Sequence, residues 1–281
     1  MRELALSFEF FPPKTAEQQE LIQRSIPKLL AFKPEYVSVT SGAGGSTLDY
    51  TVESIRKLRA LGQDAAPHLS CMGGTKAEIK QLLQQYDQMG VKRIVALRGD
   101  MPSGMAASGD FTYAIDLVRF IRSEYGTRFH IEVAAYPEFH PQAESAASDM
   151  QHFINKVNAG ADGAITQYFY SADAYFRFIE EARQKGVTIP IIPGIMPIAN
   201  FSQLKRFSDM CGAELPRWLS KRMQGFGDDA DAVRSYGTDV VAKLCGQLIA
   251  GGVEAMHFYT LNRAKATVDV LQAMGIRAAS S

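Results

Sequence analysis

The chain has 281 residues, 46% of them hydrophobic, enough to bury one large core or two smaller ones. Thirty basic and thirty acidic residues cancel, and no long run of either sign occurs, which argues against a nucleic-acid groove or an anionic membrane surface. Cys71, Cys211 and Cys245 lack C-x-x-C spacing, and no apolar run nears about 18 residues, so a disulfide framework, a zinc site and a membrane helix are not expected.

A strand-then-helix alternation runs from end to end. Leu4 to Phe11 alternates and is rich in aromatics, and Pro12-Pro13 stops it because proline cannot donate to a sheet ladder. Ala16 to Phe32 has helical spacing, Tyr36 to Thr40 reads as a strand, and Leu48 to Leu61 as a helix. Strands over Ala65 to Met72, Arg93 to Leu97 and Phe129 to Ala135 alternate with helices over Lys76 to Met89, Tyr113 to Tyr125 and Ser145 to Ala159. Strands over Gly163 to Phe169 and Ile189 to Gly194 follow, with helices over Ala172 to Lys185 and Phe201 to Met210. Residues 213 to 251 add a helix around Trp218 and a longer one from Asp229 to Ala250. Strand Ala255 to Thr260 and helix Ala264 to Met274 close the pattern. Eight such units fit a single-domain (β/α)8 barrel, with a doubly wound sheet as the alternative.

In a barrel, chemistry belongs at the carboxyl ends of the strands. Glu9, Thr40, His68, Arg98-Gly99-Asp100, Tyr136, Gln167 and Asn262-Arg263 all fall there. Glu9 is flanked by Phe8, Phe10 and Phe11, and lost hydration favours the protonated form of such a carboxyl, the form a general acid needs. A solvent-facing edge carboxylate is the plain alternative. Gly42-Ala43-Gly44-Gly45-Ser46-Thr47 resembles a dinucleotide loop, yet Thr47 replaces the third glycine, so a Rossmann reading fails. The five histidines show no metal-ligand spacing, and no metal is expected. No signal peptide is visible, so a cytoplasmic protein is expected.

Several motifs in one order carry a family resemblance. They are Phe8-Glu9-Phe10-Phe11-Pro12-Pro13-Lys14, Ala66-Pro67-His68-Leu69, Ala96-Leu97-Arg98-Gly99-Asp100 and Ala135-Tyr136-Pro137-Glu138. They continue as Ile165-Thr166-Gln167-Tyr168-Phe169, Ile192-Pro193-Gly194-Ile195-Met196-Pro197 and Phe258-Tyr259-Thr260-Leu261-Asn262-Arg263. Over its whole length the chain resembles the bacterial methylenetetrahydrofolate reductases.

The resemblance implies a (β/α)8 barrel over residues 1–281 without a regulatory domain, and therefore no inhibition by S-adenosylmethionine. It implies FAD as cofactor, with NADH or NADPH as reductant and methylenetetrahydrofolate as substrate, reacting in turn at one mouth. Glu9 resembles the general acid, and Asp100 a catalytic residue that binds the pterin and tunes the flavin. Gln167, Gln203, Phe207 and Arg263 match substrate contacts. Thr40, Ala43, His68, Arg98, Gly99, Asp100, Tyr113, Ala114, Tyr136, His140, Ala143, Asp149 and Lys156 match FAD contacts. Ser41 and Asn155 depart from the family pattern where an aromatic and a basic residue are frequent, which implies weaker hold on the FAD diphosphate. The family also implies a homo-oligomer. A flavin-free pterin methyltransferase and a catalytically dead binding subunit are the competing readings, and the colour of the purified protein separates the first.

Overall fold

A computed structural model of the chain describes residues 4–41, 45–99 and 109–279. Asp100 and Ala43 lie outside the described residues. The strands are β1 (Ala5–Phe10), β2 (Tyr36–Val39), β3 (Ala65–Ser70), β4 (Arg93–Leu97), β5 (His130–Ala135), β6 (Gly163–Thr166), β7 (Ile191–Ile192), β8 (Gly194–Ile195) and β9 (Ala255–Tyr259). All pair in parallel, in the order β7-β6-β5-β4-β3-β2-β1-β9-β8. The two ends of that order are the same stretch of chain, so the sheet closes on itself as a (β/α)8 barrel.

Closure happens at Pro193, and the expected single strand over Ile189 to Gly194 is thereby split. Ile191 and Ile192 pair with β6, whereas Gly194 and Ile195 pair with β9. Proline has no N–H to give either neighbour. Its carbonyl still accepts from the His257 N–H at 3.1 Å. Gly194 permits the turn from one neighbour to the other, because a Cβ there would meet the Thr166 carbonyl at 2.1 Å.

Helices α1 (Ala16–Leu30), α2 (Gly45–Ala60), α3 (Lys76–Gln88), α4 (Ala114–Tyr125), α5 (Ala146–Asn158), α6 (Ala172–Gln184), α7 (Phe201–Cys211), α8 (Arg217–Gln224), α9 (Ala230–Ala250) and α10 (Ala264–Ala273) surround the strands. The helix expected around Trp218 is α8. Side chains alternate across a strand, so Leu6, Phe8 and Phe10 of β1 pack outward in the main core beneath the helices. Tyr36, Ala66, Val95 and Ile165 form a second, smaller cluster inside the barrel. Ser7 and Glu9 alternate with the outward phenylalanines and face that interior. Among the described residues no helix is long and apolar enough to cross a membrane.

Candidate active site

Glu9 ends β1 at the mouth of the barrel, buried with its side chain only 11% exposed. Two imidazoles face its carboxyl: His68 Nε2 lies 3.4 Å and His257 Nε2 3.8 Å from Oε2. Burial holds the His68 imidazole below its ordinary value, against the charge of Glu9, so this neighbour is neutral at pH 7. No lysine or arginine among the described residues pairs with Glu9. Tyr259, opposite Glu9 in register, donates its phenol to the Thr166 carbonyl at 2.7 Å, and burial pushes that phenol far up.

The Glu9 backbone is fixed from the loop after β9. Thr260 Oγ1 donates to the Glu9 carbonyl at 2.6 Å, and the Asn262 amide accepts from the Phe11 N–H and donates to its carbonyl. A carboxyl held at both ends of its peptide neighbourhood has a defined position before any ligand arrives.

Glu9, His68, Gln167, Tyr168, Phe207 and Tyr259 help to line a cavity of about 500 Å³. The Gln167 Oε1 accepts from the Tyr168 N–H at 3.0 Å, which leaves the amide nitrogen as the donor end. Tyr168 in turn shares a hydrogen bond with Ser208 of α7 at 2.9 Å, tying that helix to the cavity wall.

A second cavity of about 780 Å³ adjoins the first, and Leu97, Arg98, Ala134, Tyr136, His140 and Gln142 line both. Arg98, Gly99, Tyr113, Ala114, Tyr136, His140, Ala143, Asp149 and Lys156 all line this second space. The Arg98 guanidinium donates to Gln142 Oε1 at 2.6 Å across the shared wall. The His140 ring packs edge-on against Tyr136, centroids 4.6 Å apart. His140 accepts the Gln142 N–H at Nδ1, and its own N–H donates to Asp149 at 2.9 Å. These bonds hold the preceding Phe139 at φ 112°, a conformation costing on the order of 1–3 kcal/mol.

Lys156 is the distinctive charge here. Its ammonium donates to the Ala134 carbonyl at 2.6 Å, and burial pulls it down to about 8 although Asp149 opposes the shift. An under-solvated ammonium lining the same cleft as the Arg98 guanidinium fits an anionic group such as a diphosphate.

The structure therefore separates the expected site residues into two adjoining sets. Thr40 sits at the end of β2, its carbonyl held by Thr51 at 2.9 Å, and lines neither cavity. Gln203 and Arg263 are exposed and also line neither; Gln203 lies one turn before Phe207 on α7, and Arg263 is the N-cap of α10. Gln142, His257 and the clamping role of Asn262 were not singled out from the sequence.

A closed parallel barrel with a buried carboxyl near a strand end and an adjoining cleft lined by Arg98 and Lys156 has the architecture of a barrel enzyme. The family described as methylenetetrahydrofolate reductase matches residues 1–275. The 5,10-methylenetetrahydrofolate reductase of Escherichia coli (strain K12) is 40% identical over 276 residues, covering 98% of this chain and 92% of that one. "Methylenetetrahydrofolate reductase (NADH) 1" of Arabidopsis thaliana is 36% identical over 286 residues, covering 97% of this chain and 48% of that one. Among solved structures, a Clostridium thermocellum protein described as binding two copies of 5-methyl-5,6,7,8-tetrahydrofolic acid superposes with a TM-score of 0.66. It shares 17% identity over 97% of this chain and 94% of its own, a likeness of fold. The chain belongs to the methylenetetrahydrofolate reductase family and is an oxidoreductase of folate one-carbon metabolism.

Proposed function

We propose that the protein reduces 5,10-methylenetetrahydrofolate to 5-methyltetrahydrofolate with electrons from NADH carried by FAD, the nicotinamide and the folate using the Glu9 cavity in turn. The observation that carries this reading is the shared wall: Arg98, Tyr136 and His140 border both the carboxyl-bearing cavity and the lysine-bearing one. FAD supplies two-electron hydride transfer when bound in the larger space. Lys156 and Arg98 would meet its diphosphate, and Tyr136 and His140 would border its path toward Glu9.

Glu9 gives its proton to the folate's bridging nitrogen, and the ring opens to a 5-iminium carbon. That carbon accepts hydride and becomes the methyl group. Neutral His68 leaves no permanent cation against the carboxyl, so the proton is available to the substrate. Gln167 presents its amide nitrogen to the bound ring, and Phe207 gives an apolar face for packing. Asp100, beyond the described residues, is proposed to bind the pterin and to lower the flavin potential. Asp100→Asn should then raise the potential and weaken folate binding together. Gln203 and Arg263 are proposed to reach the substrate from the rim.

Anaerobic stopped-flow of the two half-reactions tests the reading. NADH should bleach bound flavin, and methylenetetrahydrofolate should restore its colour in the same preparation. A purified chain that takes up no FAD when supplied with it overturns the assignment.

A further inference from the structure

Barrel interiors are normally packed with branched aliphatic side chains. Here the interior beneath Glu9 is polar, and it is ordered around His257, which is fully buried. Ser7 stands directly opposite both Tyr36 and His257 in the strand registers, so the three share one layer of the barrel. Ser7 Oγ lies 2.7 Å from His257 Nδ1, whereas its other acceptor, the Met256 carbonyl, lies at 3.5 Å. This bond runs in either direction with the ring tautomer, and with Ser7 as the donor Nδ1 is the acceptor. The ring hydrogen is then on Nε2, the nitrogen facing Glu9 Oε2 at 3.8 Å and Ser38 Oγ at 3.5 Å.

Neighbours in the barrel interior keep the ring from turning. Tyr36 stacks on His257 with centroids 6.1 Å apart and planes 21° from parallel. Arg93 covers Tyr36 at 4.3 Å and pairs with buried Glu132 at 2.5 Å. Gly163 leaves room for that carboxylate, since a Cβ there would lie 2.4 Å from it. No part of this stack reaches the cavities, so substrate contact does not explain it.

We propose that His257 is a positioning residue for Glu9: Ser7 fixes its tautomer so that the Nε2–H compensates the carboxylate left when Glu9 gives its proton to the substrate. This rests on the reading of Glu9 as the acid. Giving up the proton leaves a buried negative charge with no lysine or arginine partner among the described residues, a costly state unless donors face it. His68 Nε2 lies nearer Oε2, at 3.4 Å, but makes no hydrogen bond, whereas the Ser7 contact orients the His257 ring. The 3.8 Å separation is that of a resting site, and such contacts shorten in the reacting complex. The groups facing Glu9 are His68 from β3, Ser38 from β2, and His257 and Tyr259 from β9.

The test uses FAD-loaded protein and compares His257→Phe, His257→Gln and Ser7→Ala. Phenylalanine keeps the stack on Tyr36 but removes the N–H. Re-oxidation of reduced flavin by methylenetetrahydrofolate should fall at least about tenfold, while reduction by NADH changes little. A donor to a carboxylate favours its ionised form, so its loss should move the alkaline limb of the re-oxidation profile to higher pH. Glutamine keeps an N–H donor and should recover much of both effects. Ser7→Ala, which removes one oxygen, should shift the limb the same way and serves if the phenylalanine variant fails to fold. An unmoved limb, or equal loss in both half-reactions, overturns the proposal. If Glu9→Gln itself shows no selective loss in re-oxidation, the acid reading has failed instead.

Discussion

The side-chain amide of Asn262 takes both polar groups of one peptide neighbour, accepting the Phe11 N–H at 2.8 Å and donating to the Phe11 carbonyl at 2.9 Å. Phe11 is two residues beyond Glu9, and Thr260 holds Glu9 itself, so the loop after β9 is the clamp on the strand-end carboxyl. The clamp needs Leu261 and Asn262 at φ 50° and 61°, in the left-handed region that asparagine adopts more readily than most side chains. The Asn262 carbonyl is in turn held by Ser25 of α1 at 2.8 Å.

Asn262→Ala should therefore cost on the order of 2 kcal/mol, since partners at a buried site lose their bonds and alanine resists positive φ. The denaturant midpoint should fall with an unchanged slope. Re-oxidation by methylenetetrahydrofolate should fall further than FAD affinity, because the clamp acts on β1 and not on the Lys156 cleft.

Lys156 predicts a pH dependence of FAD binding. Its folded value of about 8 lies below the ordinary 10.5. Between those values the unfolded chain binds more protons, so the stability of the FAD-free protein should rise with pH across that window. FAD binding should run the other way. A diphosphate restores the ammonium, so binding takes up a proton and the Kd should rise above about pH 8, by up to about tenfold per unit. Fluorescence titration of FAD-free protein on either side of that pH checks it. Lys156→Met should bind more weakly at neutral pH and lose the dependence.

At the closure of the barrel, Gly194→Ala should be destabilising. Its Cβ would lie 2.1 Å from the Thr166 carbonyl and 2.6 Å from the Tyr259 ring. The carbonyl cannot move freely, because it accepts Tyr259 Oη while the Thr166 hydroxyl accepts the Gly194 N–H at 2.9 Å. Overpacking of this kind costs about 1–3 kcal/mol. Thermal unfolding should show a Tm lower by about 2–4 °C for each kcal/mol in a domain of this size.

Strand–helix alternation made the barrel legible, because parallel strands carry apolar runs that local spacing reveals. Pro193 was visible too, but its effect was not. Splitting a strand between two neighbours is a property of closure, which no local pattern encodes. The strand-end places of Glu9, Arg98 and Gln167 were legible from the alternation, whereas Asp149 and Lys156, which lie on α5, entered only through the family resemblance. His257, Ser7, Tyr36, Arg93 and Glu132 were not legible, since polar residues alternating along a strand suggest a wet face. Only the closed sheet turns that face into an interior. The exposure of Gln203 and Arg263 was equally hidden, because it depends on how α7 and α10 tilt over the mouth.

Glu9→Gln separates chemistry from packing most sharply. Glutamine keeps the volume and one hydrogen-bonding oxygen, so Thr260 and Asn262 should still hold the strand end, and the variant should bind FAD. Reduction of the flavin by NADH requires no proton from this position and should stay within about tenfold of the parent rate. Transfer to methylenetetrahydrofolate needs a proton on the bridging nitrogen, and it should fall by at least about 10²-fold, the lower end of a general acid's contribution. That is roughly 2.7 kcal/mol on the transition-state scale. Reduction of an artificial quinone should survive and report an intact flavin site. Equal loss in both half-reactions would make Glu9 a structural residue, and the acid would then have to be sought first among His68 and Tyr259, two of the titratable groups lining the same cavity.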